Sequence, residues 1–195
     1  LAWPDSHYDW VRPGYMLYGN SPLPGEHRGA QDLRPVMTLA SAVISVRDVA
    51  PGETVGYGAA WTAARPSRIA TVCIGYGAAY PRLAPNGTPV LVNGRRAGLA
   101  GRVSMDMITL DVTDLPGVEP GDEVILWGEG LPVGEVAAHA GSIGYELTTR
   151  MPARTRPRCR AGDLRPTWIR NAYDRQQRYA DASDRLPRPR RCPGA

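Results

Sequence analysis

The sequence predicts a mainly β protein, organised around a compact antiparallel β-domain that is barrel-like, and three observations carry that expectation. Between Val36 and Trp127 the apolar residues come in short runs closed by Gly, Pro or Asn turns. Asn93-Gly94, between Pro89–Val92 and a run opening at Arg95, is a hairpin signal, because both central residues of a type I′ turn need positive φ. Helical patterning is confined to the stretch after residue 132. Many short strands with Gly-rich turns and few helices are the pattern of barrels and related β architectures.

In chain order, Tyr8 to Gly19 reads as a short strand running into a glycine-broken loop, and residues 20–35, with Pro22, Pro24, Gly25 and Gly29, as a connector. A long β-rich run covers Val36 to Val46 and is closed by Pro51-Gly52. A second strand covers Arg68 to Tyr76. After Asn86-Gly87 come the two strands of the hairpin, then Val103 to Val112 and Glu123 to Trp127, with Pro120-Gly121-Asp122 as the turn between them. Val133 to Ala140 reads as a short helix stopped by Gly141, and Ser142 as the cap of another with Tyr145 and Glu146 in its first turn.

Composition narrows the chemistry. All 23 basic residues are Arg, so the chain offers no lysine amine for a Schiff base. Residues 1–150 hold 11 Arg against 15 acids (net −4), and residues 151–195 hold 12 Arg against 4 acids (net +8), which together give the overall +4. The basic character therefore belongs to the tail. Beyond about Arg158, Arg-Pro and Asp-Arg pairs replace apolar periodicity. A disordered or out-of-frame extension is the economical reading of 159–195, with a nucleic-acid-binding arm as the alternative. Cys73, Cys159 and Cys192 make neither metal spacing nor an even disulfide set, and His7, His27 and His139 are scattered. No apolar run is long enough to span a bilayer and no basic-then-apolar signal opens the chain, so a cytoplasmic protein without membrane attachment is expected. The opening Leu-Ala-Trp-Pro reads as cut from something longer.

Three clusters carry candidate chemistry. Arg12-Pro13-Gly14-Tyr15 combines a guanidinium with amides that an anion can approach, although alone it reads more simply as a turn with a surface Arg. Gly56-Tyr57-Gly58 and Gly75-Tyr76-Gly77 each leave a phenol unobstructed. A tyrosine works as acid or base when neighbours bring its pKa down from about 10, but a core Tyr at a bulge fits the same spacing. Gly101-Arg102-Val103-Ser104-Met105-Asp106-Met107 mixes core and polar residues, with Asp106 free to cap a turn or pair with Arg102.

Together these segments resemble one family in the right order. Val-Arg-Pro-Gly-Tyr-Met-Leu-Tyr-Gly, Pro-Val-Met-Thr-Leu, Gly-Glu-Thr-Val-Gly-Tyr-Gly, Ile-Gly-Tyr-Gly, Gly-Arg-Val-Ser-Met-Asp-Met and Gly-Tyr-Glu-Leu-Thr-Thr-Arg all look like alanine racemase, over about Pro4 to Arg158. The resemblance implies three regions. Residues 1–30 would be the remnant of an N-terminal (β/α)8 barrel that holds pyridoxal 5′-phosphate (PLP), 31–158 the C-terminal β-domain, and 159–195 the tail. It further implies interconversion of L- and D-alanine for peptidoglycan by a two-base mechanism. A barrel lysine would act on one face of the substrate and Tyr57, the base for the L-enantiomer, on the other.

By the same resemblance, the Met105 amide binds the substrate carboxylate and Tyr76 lines the entrance to the site. Arg12 faces the PLP ring nitrogen, and the Gly14 and Tyr15 amides and the Tyr145 hydroxyl meet the phosphate. Tyr57, Tyr76 and Met105 would reach into a partner subunit, so a homodimer with a composite site is expected. The chain departs from the pattern in three places. It has no Schiff-base lysine, it carries Ala78-Ala79 where the family usually has Asp-Gly, and its ending differs after Met151-Pro152. It is therefore expected to be an inactive fragment when alone, with a non-catalytic β-domain for dimerisation or docking as the alternative.

Overall fold

A computed structural model describes residue 5 and residues 8–23, 28–158 and 167–170. Its centre is a closed antiparallel barrel of six strands: β1 (Met37–Val49), β4 (Ser67–Val72), β5 (Pro89–Val92), β6 (Arg95–Leu99), β7 (Ile108–Asp111) and β8 (Glu123–Trp127). The strands follow one another around the ring as β4-β7-β6-β5-β8-β1, and β1 returns to β4. Closure depends on the 13-residue length of β1. Its Leu39–Ala42 stretch pairs with β8 and its Val43–Val49 stretch with β4, with a register shift between Val43 and Ser45. An irregularity there bends the strand, which lets one element serve both neighbours and closes the six-strand ring.

The barrel is filled by β-branched and leucine side chains. Leu39, Val43, Val72, Val90, Val92, Leu110 and Leu126 are buried, and Trp127 lies wholly inside with its ring stacked on Tyr80 (centroids 6.3 Å apart, planes 13° apart). Helix α1 (Val133–His139) lays Val133, Val136 and Ala137 on this core, a spacing that puts all three on one helical face. Glu135 in its first turn is paired with Arg96 of β6, one bond measuring 3.0 Å. A two-stranded ribbon, β2 (Thr54–Val55) and β3 (Trp61–Thr62), sits over a separate cluster of Val49, Val55, Ala63, Ile69 and Ala100, with Trp61 packed against it.

The hairpin expected from Asn93-Gly94 is present, with φ of 47° and 76° at its two residues, and β8 spans Glu123–Trp127 as expected. Other boundaries moved. Gly14–Tyr18 forms a 3-10 turn, and no strand is found among the described residues of 8–19. The second expected strand stops at Val72 rather than Tyr76. Residues 103–107 form a loop ahead of β7, because Ser104 closes a tight turn with Met107: its N–H and O–H both donate to the Met107 carbonyl (3.0 and 2.7 Å). Ser142 does not cap α2 (Gly144–Thr149). Ile143 is the residue at the cap, and the Ser142 hydroxyl is taken by the Glu146 carboxylate. In the tail, β9 (Arg156–Arg158) and β10 (Thr167–Arg170) are strands, β10 lying parallel to Met37–Ala40 of β1. The rest of 159–195 lies outside the described residues.

Candidate functional site

Two groups of the residues singled out from sequence are assembled in different places. The first is built on the 3-10 turn and α2. Tyr15 is buried and its ring stacks on that of Tyr145, with centroids 4.2 Å apart and planes at 20°. The contact requires glycine at the start of α2. A Cβ at Gly144 would lie 1.8 Å from the Tyr15 hydroxyl oxygen. That hydroxyl is buried and without a partner among the described residues. Burial, and secondarily the neighbouring Tyr145 phenol, push the Tyr15 pKa above its ordinary value. Tyr145 remains partly exposed, and Arg12 and Gly14 are exposed. Gly14 has a φ of 53°, and a Cβ there would meet nothing within 4 Å.

The second group occupies three loops that back onto one another. The first loop leaves the β2–β3 ribbon through Gly56 (φ 80°) into a 3-10 turn, Tyr57–Ala59, in which Gly58 and Ala59 also have positive φ. Gly56 lies against the backbone of Gly101 and Arg102, where a Cβ would come within 3.1 Å of the Arg102 nitrogen. The second loop, with the 3-10 turn Tyr76–Ala78, docks on the third through main-chain bonds. Tyr76 N–H donates to the Ser104 carbonyl (3.0 Å) and Gly77 N–H to that of Met105 (2.8 Å). Gly75 permits this approach, since a Cβ on it would lie 2.2 Å from the Ser104 oxygen. Asp106 then pairs with Arg154 at 2.6 Å, not with Arg102.

Tyr57 is 72% exposed and Tyr76 40% exposed, so neither is the buried core tyrosine that its glycine spacing also allowed. Met105 and Met107, on the third loop, are exposed as well. The four side chains present aromatic and thioether surface from loops whose backbones are pinned. A cleft of about 530 Å³ adjoins this region, bounded by Tyr76, Tyr80, Arg82, Ser142, Glu146 and Arg150. Ala79, in the altered loop, has φ 76° and ψ 0°, the left-handed conformation that favours glycine.

Sequence reasoning missed two contributors. Arg154 falls in the Arg-rich stretch after Met151 where the sequence departs from the family ending, and Asn86 reads from sequence as turn chemistry only. Neither residue type announces a long-range contact by its spacing. Among the described residues, no cluster of His, Cys, Asp and Glu can hold a metal ion, and no helix is long and apolar enough to cross a membrane.

The fold and site define a class: a closed antiparallel β-barrel domain that holds tyrosines outward on glycine-flanked loops. Comparison with known proteins identifies it further. Residues 36–159 match the family model described as alanine racemase, C-terminal domain. The alanine racemase of Aeromonas hydrophila is 58% identical over 154 residues, covering 79% of this chain and 43% of the relative. The crystal structure of the biosynthetic alanine racemase from Pseudomonas aeruginosa superposes with a TM-score of 0.72 at 57% identity, over 75% of this chain and 41% of that one. A Bartonella henselae alanine racemase with covalently bound pyridoxal phosphate matches with a TM-score of 0.65 at 32% identity, over 80% and 40% of the two chains. The chain belongs to the alanine racemase family, and it spans less than half the length of the relatives it matches.

Proposed function

We propose that this chain is the C-terminal portion of a homodimeric, PLP-dependent alanine racemase that interconverts L- and D-alanine and supplies D-alanine for peptidoglycan. One observation carries the reading: Tyr57 is held outward on a loop backed by the loop that bears Met105. Racemisation needs a proton removed from one face of Cα and another delivered to the opposite face. On this reading the Tyr57 hydroxyl works at the face presented by the L-enantiomer, as general base in one direction and acid in the other. The Met105 N–H receives the substrate carboxylate, and Tyr76 lines the approach. All three act in a site completed by the partner subunit's barrel.

The residues present suit one rim of PLP. Arg12, the amides that open the Gly14–Tyr18 turn and the Tyr145 phenol are a donor set that matches a ring nitrogen and a phosphate, and Tyr145 is braced by the Tyr15 stack. When bound, PLP supplies an electron sink for the Cα–H bond. The covalent hold on the cofactor is not supplied here, since the chain has no lysine. Alone it therefore does not racemise alanine.

The test is complementation. The chain is mixed with the separately expressed PLP barrel of the Pseudomonas relative and PLP, and D-alanine formation from L-alanine is followed. Activity that needs both pieces, and that disappears with Tyr57→Phe, supports the reading. A folded, associated mixture without activity, or activity indifferent to Tyr57, contradicts it.

A further inference from the structure

We propose that Asn86 is a positioning residue for Tyr57, acting as a two-armed clamp between the tyrosine loop and the loop that carries Met105. Gly56, Gly58 and Ala59 all have positive φ within four residues, and for alanine that conformation is unfavourable. Such a segment keeps one shape only when its surroundings over-determine it. The β2–β3 ribbon fixes its two ends at Val55 and Trp61, and the Gly101–Arg102 backbone supports Gly56. The exit side of the turn, at Ala60, is fixed by Asn86.

The Asn86 amide uses both of its functions. Its Nδ2 donates to the Ala60 carbonyl at 2.7 Å, and its Oδ1 accepts from the Gly101 N–H at 2.7 Å. One planar group thus fixes the spacing between the residue after the Tyr57–Ala59 turn and the first residue of the 101–107 loop. Asn86 is itself immobilised. It sits in a turn closed by the Thr88 N–H on the Pro85 carbonyl (3.1 Å), with the Thr88 hydroxyl on the same oxygen (2.8 Å) and the Gly87 N–H on Leu99 (2.8 Å). Gly101 is further fixed from behind, since the Ala100 carbonyl receives the Thr109 hydroxyl at 2.5 Å. The clamp therefore joins a strained loop to rigid barrel strands. Asparagine is the residue that supplies a donor and an acceptor from one short side chain. Aspartate keeps only the acceptor, and alanine keeps neither.

The functional consequence rests on the proposed racemase reading, but the positioning itself does not, and the test separates them. Amide hydrogen exchange is measured on the full chain for the unmodified protein, Asn86→Ala and Asn86→Asp. In Asn86→Ala, exchange should rise by up to about tenfold in residues 57–60 and at Gly101, the scale set by losing hydrogen bonds of this kind, while the β1 and β4 amides are unchanged. In Asn86→Asp the Gly101 amide should stay protected and residues 57–60 should loosen. Unchanged exchange at 57–60 in Asn86→Ala overturns the proposal. So does a uniform rise across the barrel, or loss of Gly101 protection in the aspartate variant. In the complemented enzyme, Asn86→Ala should slow Cα–H exchange of L-alanine with solvent while sparing that of D-alanine. If both are spared although the loop has loosened, the clamp stands as structure and its link to Tyr57 chemistry is overturned. If the unmodified mixture has no activity, it is the racemase reading that fails.

Discussion

Adjacent alanines in the Tyr76 loop should respond to glycine in opposite directions. Ala79 has φ 76° and ψ 0°, and an L-residue in the left-handed region costs about 1–2 kcal/mol. Glycine removes that strain, but it gives the unfolded chain more freedom, which returns about 0.4–1 kcal/mol. Ala79→Gly is therefore expected to stabilise the domain by roughly 0.5–1 kcal/mol, a rise of about 2–5 °C in Tm for a unit of this size. Ala78 differs in both respects. It is 1% exposed in the core and is absent from the positive-φ positions. Ala78→Gly deletes a buried methyl and adds unfolded-state entropy, so it should cost about 1–2 kcal/mol. Thermal melts followed by circular dichroism at matched concentration give both numbers. A fall in Tm for Ala79→Gly, or a rise for Ala78→Gly, would refute the assignment of strain to residue 79.

Three further outcomes follow from the geometry. Gly144→Ala should displace Tyr15 and cost about 1–3 kcal/mol by overpacking, and pairing it with Tyr15→Leu should recover part of that loss in a double-mutant melt. The Tyr15 hydroxyl is held neutral by burial and by Tyr145, so its folded pKa lies above its unfolded one. Its stabilising contribution is present below the unfolded pKa near 10 and is lost as pH rises through the folded value, so Tyr15→Phe should flatten the alkaline limb of a stability–pH profile. Glu135 behaves in the opposite sense. Its hydrogen bond with Arg96 lowers its pKa below 4.5, its contribution is present above the unfolded value and lost as pH falls through the folded one, and Glu135→Gln should flatten the acid limb.

How much of this was legible depends on where the information sits along the chain. The Asn93-Gly94 hairpin and β8 were readable because turn chemistry and a continuous apolar run are local signals. The 13-residue reach of β1 was not, since its Val46–Val49 end, which pairs with β4, places two charged, exposed residues, Arg47 and Asp48, side by side and so breaks the alternation that marks a strand. The two-residue strands of the β2–β3 ribbon are too short for any periodicity to show. Motif order identified the family and pointed to Tyr57, Tyr76, Met105, Tyr15 and Tyr145. Exposure then separated the outward tyrosines from Tyr80, which sequence spacing could not. The clamp by Asn86 and the Arg154–Asp106 pair span 26 and 48 residues and needed coordinates.

In the proposed racemase, Tyr57 of this domain is the base for one face of alanine. Enantiomers have equal free energy, so kcat/KM must fall equally in both directions for any variant, and net turnover cannot assign a face. Exchange of the Cα hydrogen with D2O can. In the complemented enzyme carrying Tyr57→Phe, D-alanine should still exchange its Cα hydrogen without inversion, while exchange from L-alanine falls by about 10²–10⁴-fold. Equal loss for both enantiomers, or loss confined to D-alanine, would contradict the account.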